Sequence, residues 1–238
     1  MKKSILKRSF TRLLCMATLF ASLTSAVSAE EPSFSGSNLG VTASFARAFD
    51  DQVEDPTDPP YTYGAEIDIN SFAGGVFVGH DWQISQFVMG LIAEAALSGG
   101  QGDTFQWNPS PGNIDTEFPV SAEILARLGL RARAGAIFAN NLFYATGGVA
   151  LAHVERGYYD PDNGQESVDT TWDLGLVAGA GIERKVSDRV SIRLEYLHTW
   201  YEDQVVDPSI LDNFCCDQGV ELSSDAVNLS VVFRLGEH

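Results

Sequence analysis

The stretch ILARLGLRARAG at positions 124–135 decides the fold class of this chain. Six of its apolar residues, Ile124 among them, fall on one parity, whereas its arginines and glycines fall on the other, together with the preceding Glu123. An α-helix would spread the three arginines around its circumference, but a β-strand places them all on one side. The pattern therefore predicts a strand with one apolar face and one face of small and charged residues.

The same alternation predicts seven further strands. Apolar side chains such as Val76 and Val78 repeatedly oppose glycine, small polar or charged residues. The segment 142–155 alternates poorly, so the pattern leaves its orientation open. The eight predicted spans are 38–49, 70–82, 87–97, 118–137, 142–155, 172–183, 192–200 and 227–235.

The connections between these segments alternate in length. The long ones are rich in Gly, Pro, Asp and Asn, and they cover 50–69, 98–117, 156–170 and 202–221. The short ones cover 83–86, 139–141 and 185–189. Long loops at one end and tight turns at the other are typical of outer-membrane barrels. The sequence thus predicts an all-β fold, a closed eight-stranded antiparallel transmembrane β-barrel with long extracellular loops and short periplasmic turns.

Alternation alone does not show which face is inside, because a soluble barrel alternates equally well with its apolar face inward. Two features favour the membrane barrel. The polar parity consists mostly of glycine and alanine, which suits a narrow interior, and its charges nearly balance, as enclosed charges must. We expect these charges to form an ion-pair network that closes the lumen. Its predicted members are Glu94, Glu123, Arg127, Arg131, Arg133, Asp173, Glu183, Arg193, Glu195 and Arg234.

Residues 1–29 are predicted to be a secretory signal peptide, which leaves 30–238 as a single barrel domain. A basic start is followed by the apolar run 13–23, which is too short for a spanning helix, and by the small residues of 27–29. The leader holds five of the 15 Lys and Arg and none of the 32 Asp and Glu, so the remainder has ten basic and 32 acidic side chains, a net charge of −22. Such a chain is not expected to bind nucleic acid.

Neither a cofactor nor a metal site is expected from the sequence. The segment DPDNG at 160–164 resembles a calcium loop, but it lacks the spacing and the distal bidentate acid of an EF-hand, which favours a solvated turn. Cys215 and Cys216 are the two cysteines beyond the leader. Because adjacent cysteines cannot join distant segments, a vicinal disulfide, an intermolecular bond and two free thiols all stay open.

Several short segments match a known family in their order and spacing. They are GGVFVGHDWQ at 74–83, RARAG at 131–135, LFYATGG at 142–148, GAGIE at 179–183 and LEYL at 194–197. In these motifs the chain resembles the small outer-membrane β-barrel proteins of Gram-negative bacteria that are labelled porin-like surface antigens, some of which are haemin-binding-like. The resemblance implies an abundant barrel of the cell outer membrane that stabilises the envelope and contacts lipopolysaccharide. An eight-stranded barrel has a lumen filled by side chains, so a wide pore does not follow.

Three functions suit such a barrel. The first is a non-enzymatic role in envelope structure and surface interactions, in contact with outer-membrane lipid and lipopolysaccharide, with divalent cations bridging acidic loops to phosphates. The second is a surface binding protein that takes haem or a host ligand through its loops. The third is a lipid A-modifying hydrolase. The candidate loop contacts for the second function are Tyr61, Tyr63, Trp107, Tyr158, Tyr159 and Phe214.

A hydrolase needs a nucleophile, a histidine that takes its proton and a carboxylate that orients the histidine. His198-Thr199-Trp200 resembles the His-x-Ser spacing of outer-membrane lipid A deacylases, but position 200 is Trp. We expect His80 and His198 to lie among interfacial aromatic residues. The sequence therefore predicts no catalytic residues and favours the first function.

Overall fold

The computed structural model describes residues 33–54, 64–108, 113–160, 164–206 and 218–235. The predicted signal peptide and the residues Cys215, Cys216, Tyr61, Tyr63 and Phe214 lie outside these ranges. Within them, no helix is long and apolar enough to cross a membrane.

The described residues form ten antiparallel strands that occupy eight positions in a ring. The strand β4 continues β3 along β5, and β9 continues β8 along β10. Because β1 pairs with both β2 and β10, the sheet closes on itself, and the predicted fold class is confirmed. The bounds are β1 (Gly36–Glu54), β2 (Gly64–Ile84), β3 (Phe87–Gly99), β4 (Gln101–Asn108), β5 (Asn113–Phe138), β6 (Asn141–Asp160), β7 (Gln165–Lys185), β8 (Val190–Tyr201), β9 (Gln204–Val206) and β10 (Gln218–Arg234).

The strands extend further at one end than the sequence predicted. Residues 50–54 and 64–69 were expected in a loop, but they belong to β1 and β2. At the opposite end the connections are short, with two-residue turns at 85–86 and 139–140. We call the end with the short turns the lower end and the other the upper end.

Polarity inverts along the barrel, which explains why the strands were predicted too short. In the lower part, Val76 and Val78 face outward and are more than half exposed, at 59% and 60%. In the upper part, Ile67 and Ile69 face inward and are buried, while Glu66 faces outward. The upper barrel thus has the polarity of a protein in water. Its buried core comprises Ala48, Ala65, Ile67, Ile69, Val120, Ala122, Ile124, Ala152, Val154, Tyr158, Tyr201, Val220 and Leu222.

A β-bulge in β5 corrects the predicted parity of its upper half. The pairing register between β5 and β6 shifts between Ile124 and Ala126, so Leu125 is an extra residue. An extra residue exchanges the faces of all side chains beyond it. Ile124 consequently faces inward and is buried, whereas it was expected to face outward.

The structure orients the segment 142–155, which the sequence left open. In β6, Leu142 and Tyr144 face inward and are buried, while Phe143 and Val149 face outward. Both faces of this strand carry apolar side chains, because the inward one packs against Phe34 and Val88 at the lower end. The alternation was therefore too weak to read.

Candidate functional site

Five buried charged residues cross the lumen at its lower end and form what we call the lower cluster. Arg133 donates from Nε and Nη2 to the two carboxylate oxygens of Asp81 at 2.9 and 2.6 Å, and from Nη1 to Glu183 Oε2 at 2.8 Å. Arg193 donates twice to the same Glu183 oxygen, at 3.2 and 3.1 Å. Arg234 donates to Glu183 Oε1 and, at 3.3 Å, to Asp81 Oδ2. Glu183 is therefore shared by three guanidinium groups.

Neutral groups complete the lower cluster. The side-chain amide of Asn38 donates to Asp81 Oδ2 at 2.8 Å, and Arg234 Nη1 donates to the carbonyl oxygen of Phe34 at 2.8 Å. Each of its three guanidinium groups also lies over an aromatic ring, where the negative face of the ring attracts a cation. These pairs are Arg133 with Tyr144 at 5.0 Å, Arg193 with Phe77 at 4.6 Å and Arg234 with Phe34 at 4.9 Å.

A middle cluster lies above the lower one. Arg131 contacts Glu94 at 2.7 Å and Glu195 at 3.1 Å. Together the two clusters hold four arginines and four carboxylates, so their formal charges cancel. Seven of these eight residues belong to the predicted set, and the eighth, Asp81, does not. Its inward parity beside Gly79 was the signal that could have identified it.

Arg127 faces inward but does not join an ion pair within the described residues. Its Nη2 donates to Ser44 Oγ at 3.4 Å. It lines a cavity of about 40 Å³ together with Glu94, Tyr201 and Asn228. Because one water molecule needs roughly 10–15 Å³ of such space, this chamber has room for about three.

An upper cluster forms around Arg156, which the sequence did not predict as a member. Its Nε contacts Asp50 Oδ2 at 2.9 Å, and its Nη2 contacts Asp173 Oδ2 at 2.9 Å. The hydroxyl of Thr171 accepts from Arg156 and donates to Asp173 at 2.7 Å. Asp173 thus lies in the interior as predicted, but its partner is Arg156. Asp50 had been placed in a loop, and instead it is fully buried in β1.

Glu123 does not belong to the luminal network. It lies on the opposite face of β5 from Ile124, which is buried in the upper core, and its cross-strand neighbours are Gln101 and Glu155. The bulge at Leu125 is the physical reason, since it exchanges inward and outward positions above it.

These clusters suit a structural role better than acid–base chemistry. In the lower cluster, each carboxylate accepts from at least two guanidinium groups. Guanidinium donors thus contact both carboxylate oxygens of Asp81 and both of Glu183. Removing one partner of a buried ion pair typically costs about 3–5 kcal/mol. The clusters therefore hold the strands in place across the lumen.

The outer surface carries an aliphatic band bordered by aromatic residues. Trp82 lies near the lower turns, with the ring of His80 at 4.7 Å, and Trp200 lies near the upper end of β8, with His198 at 4.2 Å. Aromatic girdles around an apolar band are typical of barrels in the outer membrane. The expectation that His80 and His198 lie among interfacial aromatics agrees with this arrangement.

Residues 14–234 match the model of the outer membrane protein beta-barrel domain. The chain belongs to this family. A 22 kDa outer membrane protein of Rhizobium leguminosarum bv. viciae is 27% identical over 171 residues, which cover 72% of this chain and 71% of that protein. A 31 kDa outer-membrane immunogenic protein of Brucella melitensis is 29% identical over 139 residues, which cover 56% of this chain and 55% of the relative. The protein is thus an outer-membrane protein.

A solved structure supports the fold alone. The outer membrane protease OmpT of Escherichia coli aligns with a TM-score of 0.50 at 7% identity, covering 89% of this chain and all of OmpT. At this identity the structural similarity supports the barrel architecture and provides no argument about activity.

Two histidines of this family member make polar contacts that resemble parts of a catalytic triad. His198 Nδ1 lies 2.8 Å from Asp225 Oδ1, and the Tyr196 hydroxyl donates to the same oxygen. At the lower end, the Ser37 hydroxyl lies 3.0 Å from His80 Nδ1. Among the described residues the first pair lacks a hydroxyl or thiol at the histidine, and the second lacks an orienting carboxylate. The sequence did not connect Asp225 with His198, because strand pairing brings them together.

The described residues contain no group of three or more His, Cys, Asp and Glu side chains arranged to hold a metal ion. Positions 161–163 of the calcium-like segment lie outside them. Of the candidate loop contacts, Tyr158 is instead buried in the upper core, while Tyr159 is exposed on the outer face of β6. The side chain of Trp107 also lies outside the described part of the chain.

Proposed function

We propose that this outer-membrane barrel is a non-enzymatic component of the envelope whose lumen is closed by ion-paired side chains. Its mature form would begin at residue 30, with the upper end outside the cell. The observation that carries the proposal is the lower cluster, which joins side chains of β2, β5, β7, β8 and β10 across the lumen. Buried side chains linked in this way fill the space that a conducted ion would need.

Conductance in planar bilayers tests the closed lumen. The refolded barrel is expected to give no steady conductance, because the three guanidinium groups on Glu183 leave the lower lumen packed. Glu183→Gln should raise the frequency of brief openings, since it removes the anion that those groups share. A channel-forming porin in the same bilayer is the positive control. Steady ohmic conductance of the unsubstituted barrel would contradict the proposal.

The same proposal names lipopolysaccharide as a partner, bridged by divalent cations. Glu66, Asp51 and Glu221 lie side by side on the outer face of the upper barrel, on β2, β1 and β10. Partial burial and the neighbouring carboxylates raise the pKa of Asp51 above its ordinary value. A divalent cation would relieve this repulsion and could join the row to a lipid phosphate. Magnesium should therefore tighten binding of lipopolysaccharide vesicles, and chelation should reverse the effect.

The non-enzymatic assignment is tested directly on lipid A. The refolded barrel is incubated with lipid A and calcium, and the lipid is followed by mass spectrometry. Unchanged lipid is expected, because no serine, threonine or cysteine side chain among the described residues hydrogen-bonds to His198. Acyl loss or transfer that disappears in His198→Ala would overturn the assignment and favour the hydrolase.

A further inference from the structure

The cavity of about 40 Å³ in the lumen is lined by Arg127, whose guanidinium group joins no ion pair among the described residues. This group donates one hydrogen bond, from Nη2 to Ser44 Oγ at 3.4 Å, which is long for such a contact. A guanidinium carries five N–H donors and stays charged, and an enclosed charge is costly unless it is paired or solvated. Arg127 therefore has donors left for a partner within this cavity, which we call the Arg127 chamber.

The acceptors that line the Arg127 chamber are largely occupied. Ser44 accepts from Arg127 and itself donates to Asn228 Oδ1. Glu94 is the carboxylate of the lining, and its Oε2 accepts from Arg131 at 2.7 Å. Because Glu94 is bound to Arg131 and Arg127 does not contact it, the chamber offers more donors than acceptors.

A buried hydroxyl group adds a second kind of donor to the chamber. The side chain of Tyr201 belongs to the lining and is only 7% exposed. Its Oη has no hydrogen-bond partner within the described part of the chain. Since buried hydroxyl groups nearly always have a partner, Tyr201 and Arg127 both call for an acceptor at this place.

The other charged clusters of the lumen do not supply that acceptor. The carboxylates of the lower and middle clusters contact the arginines of those clusters. In the upper cluster, Asp50 and Asp173 both contact Arg156. Arg127 is therefore an interior cation that no carboxylate of the described residues contacts.

The size and the charge of the chamber define the ligand. The chamber has room for about three water molecules, and a halide ion is only slightly larger than one of them. One guanidinium balances a single negative charge. A divalent anion such as sulfate would exceed that charge, and the Glu94 carboxylate would repel it more strongly.

We propose that the Arg127 chamber binds one small monovalent anion of the halide class, with chloride as the natural ligand. The Arg127 guanidinium and the Tyr201 hydroxyl donate charge-assisted hydrogen bonds to it. The ion is taken up when the barrel folds, and it stabilises the folded state. Because Arg127 lies outside the lower cluster, a failure of this proposal would leave the proposed closure of the lumen untouched.

Anomalous diffraction tests the site directly. The full barrel is refolded and crystallised in sodium bromide, and data are collected at the bromine absorption edge. We expect a bromide peak in contact with the Arg127 guanidinium and the Tyr201 hydroxyl, and no peak there in crystals of Arg127→Met. Water alone in the chamber, or an Arg127 side chain turned onto Glu94 with no bromide beside it, would overturn the proposal.

Urea unfolding in detergent tests whether the ion binds in solution and stabilises the fold. Sodium chloride is exchanged for sodium gluconate at constant ionic strength, because gluconate is too large for the chamber. Well above the dissociation constant, each tenfold rise in chloride should multiply the folding equilibrium constant by about ten. A stability that does not depend on chloride would show that the bromide in the crystal was an adventitious ion only.

Matched variants separate this site from a general effect of salt. Arg127→Met should abolish the dependence on chloride, whereas Arg47→Met, on the exposed outer face, should keep it. Tyr201→Phe retains the ring but removes the donor, and it should weaken chloride binding by about tenfold. An equal dependence on chloride in Arg127→Met and in the unsubstituted barrel would overturn the proposal. Should Arg127→Met fail to fold, the bromide peak and Tyr201→Phe remain decisive.

Discussion

Replacing Glu183 by glutamine removes the charge at the centre of the lower cluster while keeping the shape of the side chain. Glu183 accepts four hydrogen bonds from Arg133, Arg193 and Arg234. After the substitution these three guanidinium groups share a single carboxylate, that of Asp81, so the formal charge of the cluster rises from +1 to +2. Because the groups are buried, we expect a loss of about 3–5 kcal/mol in the free energy of unfolding.

Urea unfolding of the barrel refolded in detergent measures this loss, with tryptophan fluorescence and the heat-dependent mobility in electrophoresis as readouts. For a slope of about 2 kcal/mol per molar urea, the midpoint should fall by about 2 M. Glu166→Gln, at the exposed end of β7, is the control and should stay within about 0.5 kcal/mol of the unsubstituted barrel.

A second substitution tests the electrostatic cause. In the described structure Arg193 forms its ion pair with Glu183, so Glu183→Gln leaves the Arg193 cation without this partner. The additional substitution Arg193→Met removes that unpaired cation. The double variant should recover at least about 1 kcal/mol relative to the sum of the single losses. A single-variant loss below about 1 kcal/mol, or strictly additive losses, would refute the assignment of the lower cluster as the element that holds the lower barrel together.

Three further outcomes follow from the same structure. Leu128→Arg on the outer face should impair membrane insertion by about 2–4 kcal/mol, whereas Gln165→Arg at the exposed start of β7 should be nearly silent, as measured by folding yield into vesicles. Gly40→Val should destabilise the barrel by about 1–3 kcal/mol in urea, because a Cβ there would meet the Val231 carbonyl and the Phe77 ring, while Gly74→Val should be tolerated, because nothing lies within 4 Å. Asp51→Asn should stabilise the barrel in magnesium-free buffer at pH 7, because the raised pKa of Asp51 means that its ionisation destabilises the folded state. Below about pH 4 the aspartic acid becomes neutral, like the asparagine of the variant, so the difference in stability measured by urea unfolding should vanish.

The lower barrel could be predicted from the sequence because one physical constraint acts there on every strand. Lipid outside and a narrow lumen inside force apolar and small or charged residues into strict alternation. Glu94, Arg131, Arg133 and Glu195 were therefore assigned to the interior from parity alone, and the structure brings them into the middle and lower clusters. The same parity included Asp81, but its role depends on Arg133, which is 52 residues away in the chain.

The upper barrel could not be read in this way, because its surroundings change from lipid to water. There the apolar side chains, such as Ile67, face inward. Within one continuous strand, apolar residues therefore mark the outer face in the lower part and the inner face in the upper part. A local bulge at Leu125 reversed it again in β5 and removed Glu123 from the interior. In the sequence, neither the inversion of polarity nor the bulge can be distinguished from a loop, because both interrupt the alternation of apolar and polar residues.

The sequence by itself determined the number of strand positions, the faces of seven of the eight lipid-embedded segments and the family resemblance, because these follow from residue periodicity and local motifs. Only the tertiary structure decided which charges pair, that Arg127 donates to Ser44 and not to a carboxylate within the described residues, and that β7 continues beyond its last pair with β8, Gly175 with Tyr201. Those features depend on strand register and on where neighbouring strands part. Contacts between residues far apart in the chain set both, and no single segment encodes them.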